Sequence, residues 1–216
     1  QEGLYLHYKA VAAASAVPVV LYNVPGRTAV DMLPQTVARL AQLPRIVALK
    51  EAVADVGRIR ELAAACGPGF DVLSGDDATA REAVLAGARG VISVTANVAP
   101  RRVSEVMAAA LAGQATEAAA LDAGLAPLHE RLFLEANPIP VKWVMQQMAL
   151  SGPGIRLPLT PLAEEHLTPA DWEAIDAAFA GHTDPLLGIA QGAGFEVLFR
   201  KIVELAPPPI GVGEPR

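Results

Sequence analysis

The sequence predicts an α/β protein in which repeated βα units build a parallel sheet. The first observation is a set of short apolar runs, each too short for a helix and rich in Val, Ile and Leu, as buried parallel strands are. These runs are Val19–Tyr22, Ile46–Leu49, Asp71–Leu73 and Val91–Val94. The second observation is their spacing, because their starts lie about 20–27 residues apart and helical patterns fill the gaps.

Apolar residues at helical spacing precede the first predicted strand and follow each of the first three predicted strands. They predict helices over Leu4–Ser15, Leu33–Leu43, Ala54–Ala65 and Ala78–Ala86. Asp31 is a candidate N-cap of the second helix, Asp55 lies near the start of the third, and Gly87 is a candidate C-cap of the fourth.

The pattern changes after Asn97, where helical segments follow one another without a strand between them. These segments are Pro100–Ala112, Glu117–Leu134, Pro140–Ala149 and Pro169–Phe179. We therefore expect three parts: βα units over 1–98, a helical region over 99–181, and a tail of unknown role over 182–216. The tail contains GIAQGAG and PPPIGVGEPR, which are typical of loosely ordered chain.

Composition excludes several classes of protein. The chain has 216 residues, of which 52% are hydrophobic and 19% charged, so it is too apolar for a disordered protein. A net charge of −6 disfavours nucleic acid as a partner. The single cysteine, Cys66, indicates a reducing, cytoplasmic compartment. No apolar run predicts a membrane span or a signal peptide, and the missing initiator Met suggests that residue 1 is not the natural start.

Candidate chemistry lies at the carboxyl ends of the predicted strands, where active groups of parallel βα proteins gather. Lys50 ends the run Ile-Val-Ala-Leu. Burial there disfavours the ammonium and favours a nucleophilic amine, which can form a Schiff base with a ketone or aldehyde. The alternative is an ion pair with Glu51 or another acid. Tyr22 ends a neighbouring strand and can move protons, or it is simply a half-buried aromatic residue.

Three further segments carry polar groups that suit small-molecule binding. Arg27, in the loop after Tyr22, suits a bidentate grip on a carboxylate, or it is a solvated cation. The Ser-Gly-Asp-Asp stretch over 74–77 can seat a ligand, although Asp77 is better explained as a helix cap. Asn137 is a natural N-cap. The four histidines show no metal-ligand spacing with these acids, so we expect no metal.

Six segments in order resemble one family. They are YNVPGRT (22–28), ALKEA (48–52), LSGDD (73–77), GVISVTANVAP (90–100), NPIPVKW (137–143) and RLPLTPL (156–162). The set resembles the 4-hydroxy-tetrahydrodipicolinate synthase (dihydrodipicolinate synthase) family, within the class I pyruvate aldolases that include N-acetylneuraminate lyase. The resemblance runs from residue 1 to about residue 180.

The resemblance implies a lyase-type condensation of pyruvate with L-aspartate 4-semialdehyde to 4-hydroxy-tetrahydrodipicolinate, in lysine and diaminopimelate biosynthesis. Lys50 would form the Schiff base with pyruvate, Tyr22 would belong to a proton relay, and Arg27 would hold the carboxylate of the semialdehyde. Gly75 and Ile92 match backbone positions that line the pyruvate site, and Asn137 matches a position near the second substrate. No cofactor is expected beyond the covalent Schiff base, and the family is commonly a homotetramer.

The implied fold is the C-terminal half, strands 5–8, of a (β/α)₈ TIM barrel, followed by a C-terminal helical region. The chain is shorter than the ~250 residues typical of a complete barrel. Strands one to four are expected to be missing, together with a threonine-bearing loop and a second relay tyrosine. Four βα units cannot close a barrel, so we expect open strand edges and an unstable, aggregating or half-barrel-pairing chain.

Three functions stay open at this point. The first is the synthase, and the second is another pyruvate-dependent aldolase of the same superfamily, which the basic residue Arg27 disfavours. The third is a catalytically inactive fragment or pseudoenzyme, which the missing threonine loop favours. Assays with alternative aldehydes separate the first two, and trapping of a pyruvate adduct on Lys50 separates both from the third.

Overall fold

The structure, a computed structural model, describes residues 1–166. The described residues divide into two units, the first over Gln1–His129 and the second beginning at Glu130. The predicted helix Pro169–Phe179 and the predicted tail over 182–216 lie outside the described residues. The predicted divisions of the chain at residues 98 and 181 stay predictions.

The first unit contains a parallel sheet with the order β1-β2-β3. The strands are β1 (Val19–Asn23), β2 (Ile46–Glu51) and β3 (Asp71–Ser74). Each of these strands lies where the apolar runs predict it, and β1 and β2 extend further to include Asn23, Lys50 and Glu51. The register pairs Tyr22 with Lys50 across β1 and β2, and Lys50 with Leu73 across β2 and β3.

The predicted fourth strand, Val91–Val94, is wrong as a strand of that length. Val91 forms an isolated parallel bridge with Ser74, and Ile92 N donates a 2.9 Å hydrogen bond to the Ser74 carbonyl. Pairing then stops because the carboxylate of Asp77 accepts hydrogen bonds from the backbone N–H groups of Val94 (2.8 Å) and Thr95 (3.2 Å). The backbone turns into a 3-10 helix over Thr95–Asn97.

Helices follow the strands much as the sequence predicts. Those of the first unit are α1 (Glu2–Ala14), α2 (Pro25–Thr28), α3 (Pro34–Leu40), α4 (Val56–Cys66), α5 (Ala80–Leu85), α6 (Pro100–Leu111), α7 (Ala115–Ala123) and α8 (Ala126–Arg131), whose last two residues belong to the second unit. Asp55 caps α4, since its carboxylate accepts from Gly57 N (2.8 Å) and Arg58 N (3.3 Å).

Two helix predictions are wrong in detail. Asp31 does not cap α3, because Leu33 is the N-cap and the Asp31 carboxylate binds Arg58 instead. The single helix predicted over Glu117–Leu134 is interrupted at Gly124 between α7 and α8. The guanidinium of Arg102 lies against Gly124, so close that a Cβ there would come 2.3 Å from Arg102 Nη2. A residue without a side chain therefore fits at this break between the two helices.

One face of the sheet is buried against helices of the first unit. Leu21, Leu49 and Val72 point to this face and are almost fully buried. They form a core with apolar residues of the surrounding helices, including Val37, Leu40, Ile59, Leu62, Ala83, Val84 and Ala110. The opposite face is more open, since Val20 is 49% exposed and Tyr22 is 43% exposed. The candidate site lies on this open face.

The described part of the second unit contains α9 (Ile139–Gln147) and a 3-10 turn over Glu164–His166. Its buried apolar residues include Ile139, Val141 and Val144. The Asn137–Pro138 and Leu157–Pro158 peptide bonds are cis. None of the helices in residues 1–166 is both long enough and apolar enough to cross a membrane.

Candidate functional site

Lys50 and Tyr22 lie side by side on the open face of the sheet. They occupy paired positions on β2 and β1, so their side chains leave the same face. Lys50 Nζ lies 4.4 Å from the centroid of the Tyr22 ring, within the range of a cation–π contact. Lys50 is half-buried. The structure therefore brings together the two residues predicted to form the catalytic pair.

The alternative interpretation, an ion pair between Lys50 and Glu51, is wrong. Successive strand residues point to opposite faces, and the Glu51 side chain lies on the buried face, where Arg58 Nε donates to it at 2.9 Å. Within residues 1–166 the Lys50 ammonium makes no ion pair with any acid. Its amine is thus held on the open face without a neutralising carboxylate.

Gly75 follows β3 and borders the Lys50 side chain. A Cβ built on Gly75 would lie 2.9 Å from Lys50 Cε and 3.1 Å from Lys50 Cγ. Contacts below 3.0 Å require a neighbouring atom to shift. The absence of a side chain at Gly75 therefore leaves the space that the Lys50 side chain occupies. Gly75 N donates a 2.7 Å hydrogen bond to the Glu51 carbonyl, which holds the glycine beside the end of β2.

Arg27 lies on the one-turn helix α2, directly after the strand that carries Tyr22. Pro25 occupies the first turn, and the turn ends at Ala29, which has a left-handed φ of 56°. The Arg27 side chain is exposed. Its position beyond the carboxyl end of β1 agrees with the predicted site edge.

Ile92 and the Ser-Gly-Asp-Asp stretch belong to the same edge of the sheet. Ile92 extends the β3 edge through its bond to the Ser74 carbonyl and is 43% exposed. The prediction that Asp77 caps the following helix is wrong, because Asp76 accepts from Thr79 N (2.9 Å) and Thr79 Oγ1 (2.7 Å) instead. Asp77 is 4% exposed and holds the segment after Ile92.

Asn137 lies in the second unit, whereas the other candidate residues lie in the first. It is not the N-cap of α9, since Pro138 occupies that position and no side chain caps the helix. Directly before α9, Ile139 N donates a 2.9 Å hydrogen bond to the Ala136 carbonyl. The role of Asn137 near a second substrate stays a prediction.

Sequence reasoning missed a buried polar network under the site. Asn23 Nδ2 donates to both oxygens of Glu51 at 3.0 Å and to Asp31 Oδ1 at 2.8 Å. Arg58 binds both acids. Burial lowers the pKa of the Arg58 guanidinium, but the charges of Glu51 and Asp31 outweigh burial and raise it above its ordinary value. The available signal was Glu51, a buried-face acid that requires a cation.

A second missed cluster joins α5, α7, α8 and the 3-10 helix over Thr95–Asn97. His129 Nδ1 and Thr95 Oγ1 are 2.9 Å apart, His129 Nε2 lies 3.3 Å from Asp122, and Arg81 Nε donates to Asp122 at 3.0 Å. Burial raises the pKa of Asp122, but the hydrogen bonds from His129 and Arg81 outweigh it and hold the pKa below its ordinary value of 3.8. The cluster borders a cavity of about 10 Å³. Its side chains bind one another and so connect the elements that carry them.

Among the residues that the structure describes, no group of three or more His, Cys, Asp or Glu side chains could hold a metal ion. The polar groups at the sheet edge are an amine, a phenol and a guanidinium. Such a set suits a carbonyl compound that carries a carboxylate, since the amine attacks carbonyl carbon and the guanidinium binds carboxylate.

Fold and site therefore define the class of this protein. It is an α/β protein with a lysine amine on the open face of its parallel strands. The chain belongs to the dihydrodipicolinate synthetase family, whose sequence model matches residues 1–174. This confirms the resemblance drawn from the six motifs.

Individual relatives agree with the family. The chain is 58% identical over 166 residues to the 4-hydroxy-tetrahydrodipicolinate synthase of Alkalilimnicola ehrlichii, covering 77% of this chain and 57% of that protein. It is 55% identical over 163 residues to that of Pseudomonas aeruginosa, covering 76% and 56%. The chain thus spans less than two thirds of the length of these relatives.

Solved structures also match. The dihydrodipicolinate synthase of Acinetobacter baumannii, solved with pyruvate, superposes with a TM-score of 0.79 at 51% identity, over 82% of this chain and 60% of that one. The enzyme of Cyanidioschyzon merolae, solved with lysine bound, superposes with a TM-score of 0.77 at 34% identity, over 82% and 60%. The parallel α/β architecture is thus the one these relatives have.

Proposed function

We propose that this chain carries the Schiff-base half of a 4-hydroxy-tetrahydrodipicolinate synthase site, which condenses pyruvate with L-aspartate 4-semialdehyde. The observation that carries the proposal is the Lys50 amine, which lies 4.4 Å from the Tyr22 ring centroid and makes no ion pair within residues 1–166. Family membership and the synthase names of relatives at 55–58% identity support it.

The proposed chemistry begins at the Lys50 amine. Its lone pair adds to the ketone carbon of pyruvate, and loss of water leaves a protonated imine. The imine withdraws electrons, so a methyl proton leaves and a nucleophilic enamine forms. The enamine carbon attacks the aldehyde carbon of the semialdehyde and forms the new carbon–carbon bond. The amino group of the condensed product then displaces Lys50 and closes the ring.

Tyr22 and Arg27 take the supporting roles in this proposal. The phenol of Tyr22, beside the lysine, is suited to carry protons between the reacting groups and solvent. The guanidinium of Arg27, beyond the end of β1, is suited to bind the carboxylate of the second substrate. Gly75 and Ile92 provide backbone at the pyruvate end, and Asn137 is assigned to the second substrate. No cofactor takes part apart from the covalent imine.

We also propose that the three parallel strands and the Val91 bridge form strands 5–8 of a (β/α)₈ barrel. The open face with Val20 and Tyr22 exposed supports this, because a barrel interior would cover it. The resemblance further assigns the protein to the cytoplasm and to a homotetramer. The activity, substrates and partners of the whole protein are part of this proposal, since the chain spans 56–57% of the length of these relatives.

Turnover with matched aldehydes tests the proposal. The purified chain is incubated with pyruvate and either L-aspartate 4-semialdehyde or an aldehyde without a carboxylate, and the condensation product is quantified by mass spectrometry. We expect product with the semialdehyde only, and none in Lys50→Arg, because a guanidinium does not form an imine with pyruvate. Equal turnover of both aldehydes would indicate another pyruvate aldolase instead.

A further inference from the structure

We propose that Asp31 and Arg58 are positioning residues that fix the loop carrying Arg27, and thereby set the affinity for the carboxylate-bearing second substrate. The inference rests on the proposed function. It concerns residues on the buried side of the sheet, which do not reach the open face that holds Lys50.

The first step is the closure of the loop. Asn23 ends β1, and its side chain bonds the far end of the following loop at two points. Asn23 Nδ2 donates to Asp31 Oδ1 at 2.8 Å, and Met32 N donates to Asn23 Oδ1 at 3.0 Å. The segment between them contains α2 and Arg27. Both ends of the Arg27 segment are therefore held at one point, the end of β1.

Arg58 holds the end of this loop through Asp31. Arg58 Nη1 and Nη2 donate to the two oxygens of Asp31 at 2.9 and 2.8 Å, which is a bidentate pair. Arg58 Nη2 also donates to the Met32 carbonyl at 2.7 Å. The side chain of Arg58 is 12% exposed and that of Asp31 is 35% exposed. The planar fork fixes the direction of the loop end as well as its distance.

Arg58 also connects the loop end to the strands. Arg58 Nε donates to Glu51 at 2.9 Å, and Glu51 accepts from Asn23, so one guanidinium joins the loop end to the ends of both strands. Asn23 and Glu51 are paired residues, each directly after the paired residues Tyr22 and Lys50. The network is thus a common frame for the lysine, the tyrosine and the arginine loop.

The contacts predict different effects for different changes. Asp31→Asn keeps the pair between Arg58 and Glu51, but its amide NH₂ group would face a guanidinium N–H, so the loop loses its bidentate tie. Arg58→Lys removes the fork and weakens the ties to loop and strands together. Exposed residues offer matched controls, Asp71→Asn and Arg60→Lys, since the Asp71 side chain is 58% exposed and Arg60 is exposed.

The test uses the full chain and three readouts. The rate of borohydride-trapped pyruvate adduct reports the lysine, the semialdehyde concentration at half-maximal rate reports the arginine loop, and amide hydrogen exchange over 24–33 reports the tie directly. In Asp31→Asn we expect the half-saturating concentration to rise about ten- to a hundredfold, with adduct formation unchanged within about twofold. We expect exchange over 24–33 to accelerate about tenfold or more. The two controls should match the unaltered chain.

Two results would overturn the inference. One is an Asp31→Asn variant with unchanged half-saturation and unchanged exchange over 24–33. The other is a variant whose adduct formation falls as much as its use of the semialdehyde, because that indicates general destabilisation. If the unaltered chain forms no adduct, the proposed function fails instead. Hydrogen exchange then decides alone: acceleration confined to 24–33 supports the tie, and its absence contradicts it.

Discussion

Gly75 lies so close to Lys50 that a methyl group on Gly75 would come 2.9 Å from Lys50 Cε. The lysine side chain therefore crosses the position that any other residue at 75 would fill. A side chain at position 75 would therefore require the end of the Lys50 side chain to move.

Replacing Gly75 with alanine should displace the Lys50 side chain and slow the formation of a pyruvate adduct. The cost of an off-rotamer lysine, ~0.5–1.5 kcal/mol, corresponds to roughly a two- to tenfold slower reaction. The adduct is measured by borohydride trapping and mass spectrometry. Gly69→Ala is the matched control, since a Cβ there meets no atom within 4 Å. Equal rates in both variants would show that the contact does not constrain the amine.

Asp122 should stabilise the first unit in a pH-dependent way. Its folded pKa lies below 3.8, so its stabilisation is fully present above that value and is lost as the pH falls through the folded pKa. Asp122→Asn should lower the free energy of unfolding by about 1–3 kcal/mol at pH 7, because Arg81 and His129 lose a charged acceptor. Urea unfolding measures this, and the difference should shrink below pH 3.8. A constant difference across this range would contradict the assignment.

Asp77 should be needed for the 3-10 turn after Ile92. Its carboxylate accepts from Ser93 Oγ and from two backbone N–H groups, so Asp77→Ala leaves these donors without their acceptor. We expect a loss of about 1–3 kcal/mol in urea unfolding. Asp71→Ala, at an exposed ion pair, should change stability by less than about 1 kcal/mol. Similar losses in both variants would indicate that Asp77 has no special role.

Cys66, at the end of α4, should react slowly with alkylating reagents. Burial raises the pKa of its thiol to about 11 from an ordinary 9.0, so the thiolate at pH 8 is roughly a hundredfold scarcer than for a free thiol. Iodoacetamide labelling, followed by intact mass, should be correspondingly slow. The same chain in urea provides the control and should label fast. Equal rates with and without urea would contradict the burial.

Apolar periodicity was sufficient to predict β1, β2, β3 and most helices, because each buries one apolar face or stripe within its own unit. It was not sufficient for Val91–Val94, since a polar side chain distant in sequence, Asp77, ends the pairing there. It also did not predict the break at Gly124, which depends on the approach of Arg102 from α6. Contacts between distant segments decided both cases.

The candidate site also depends on contacts between segments that are distant in sequence. Lys50, Tyr22 and Arg27 could be predicted to lie at or just beyond strand ends, because the apolar runs and the family motifs mark those positions. Arg58 and Asp31 could not, because an arginine on a helix and an acid before a helix are ordinary in sequence. Only the fold brings Arg58 to Glu51 and Asp31 to Asn23. The assignment of Asp31 as a helix cap was wrong for this reason: its carboxylate has a stronger, charged partner.

The function proposed above begins with an imine between the amine of Lys50 and pyruvate. The direct measurement is to incubate the chain with pyruvate and borohydride and to locate the added mass by peptide mass spectrometry. We predict one reduced pyruvate adduct, located on Lys50 and absent in Lys50→Ala, with Lys9, Lys142 and Lys201 unmodified. A folded sample with no adduct, or with adduct spread over all lysines, would contradict specific imine formation at Lys50.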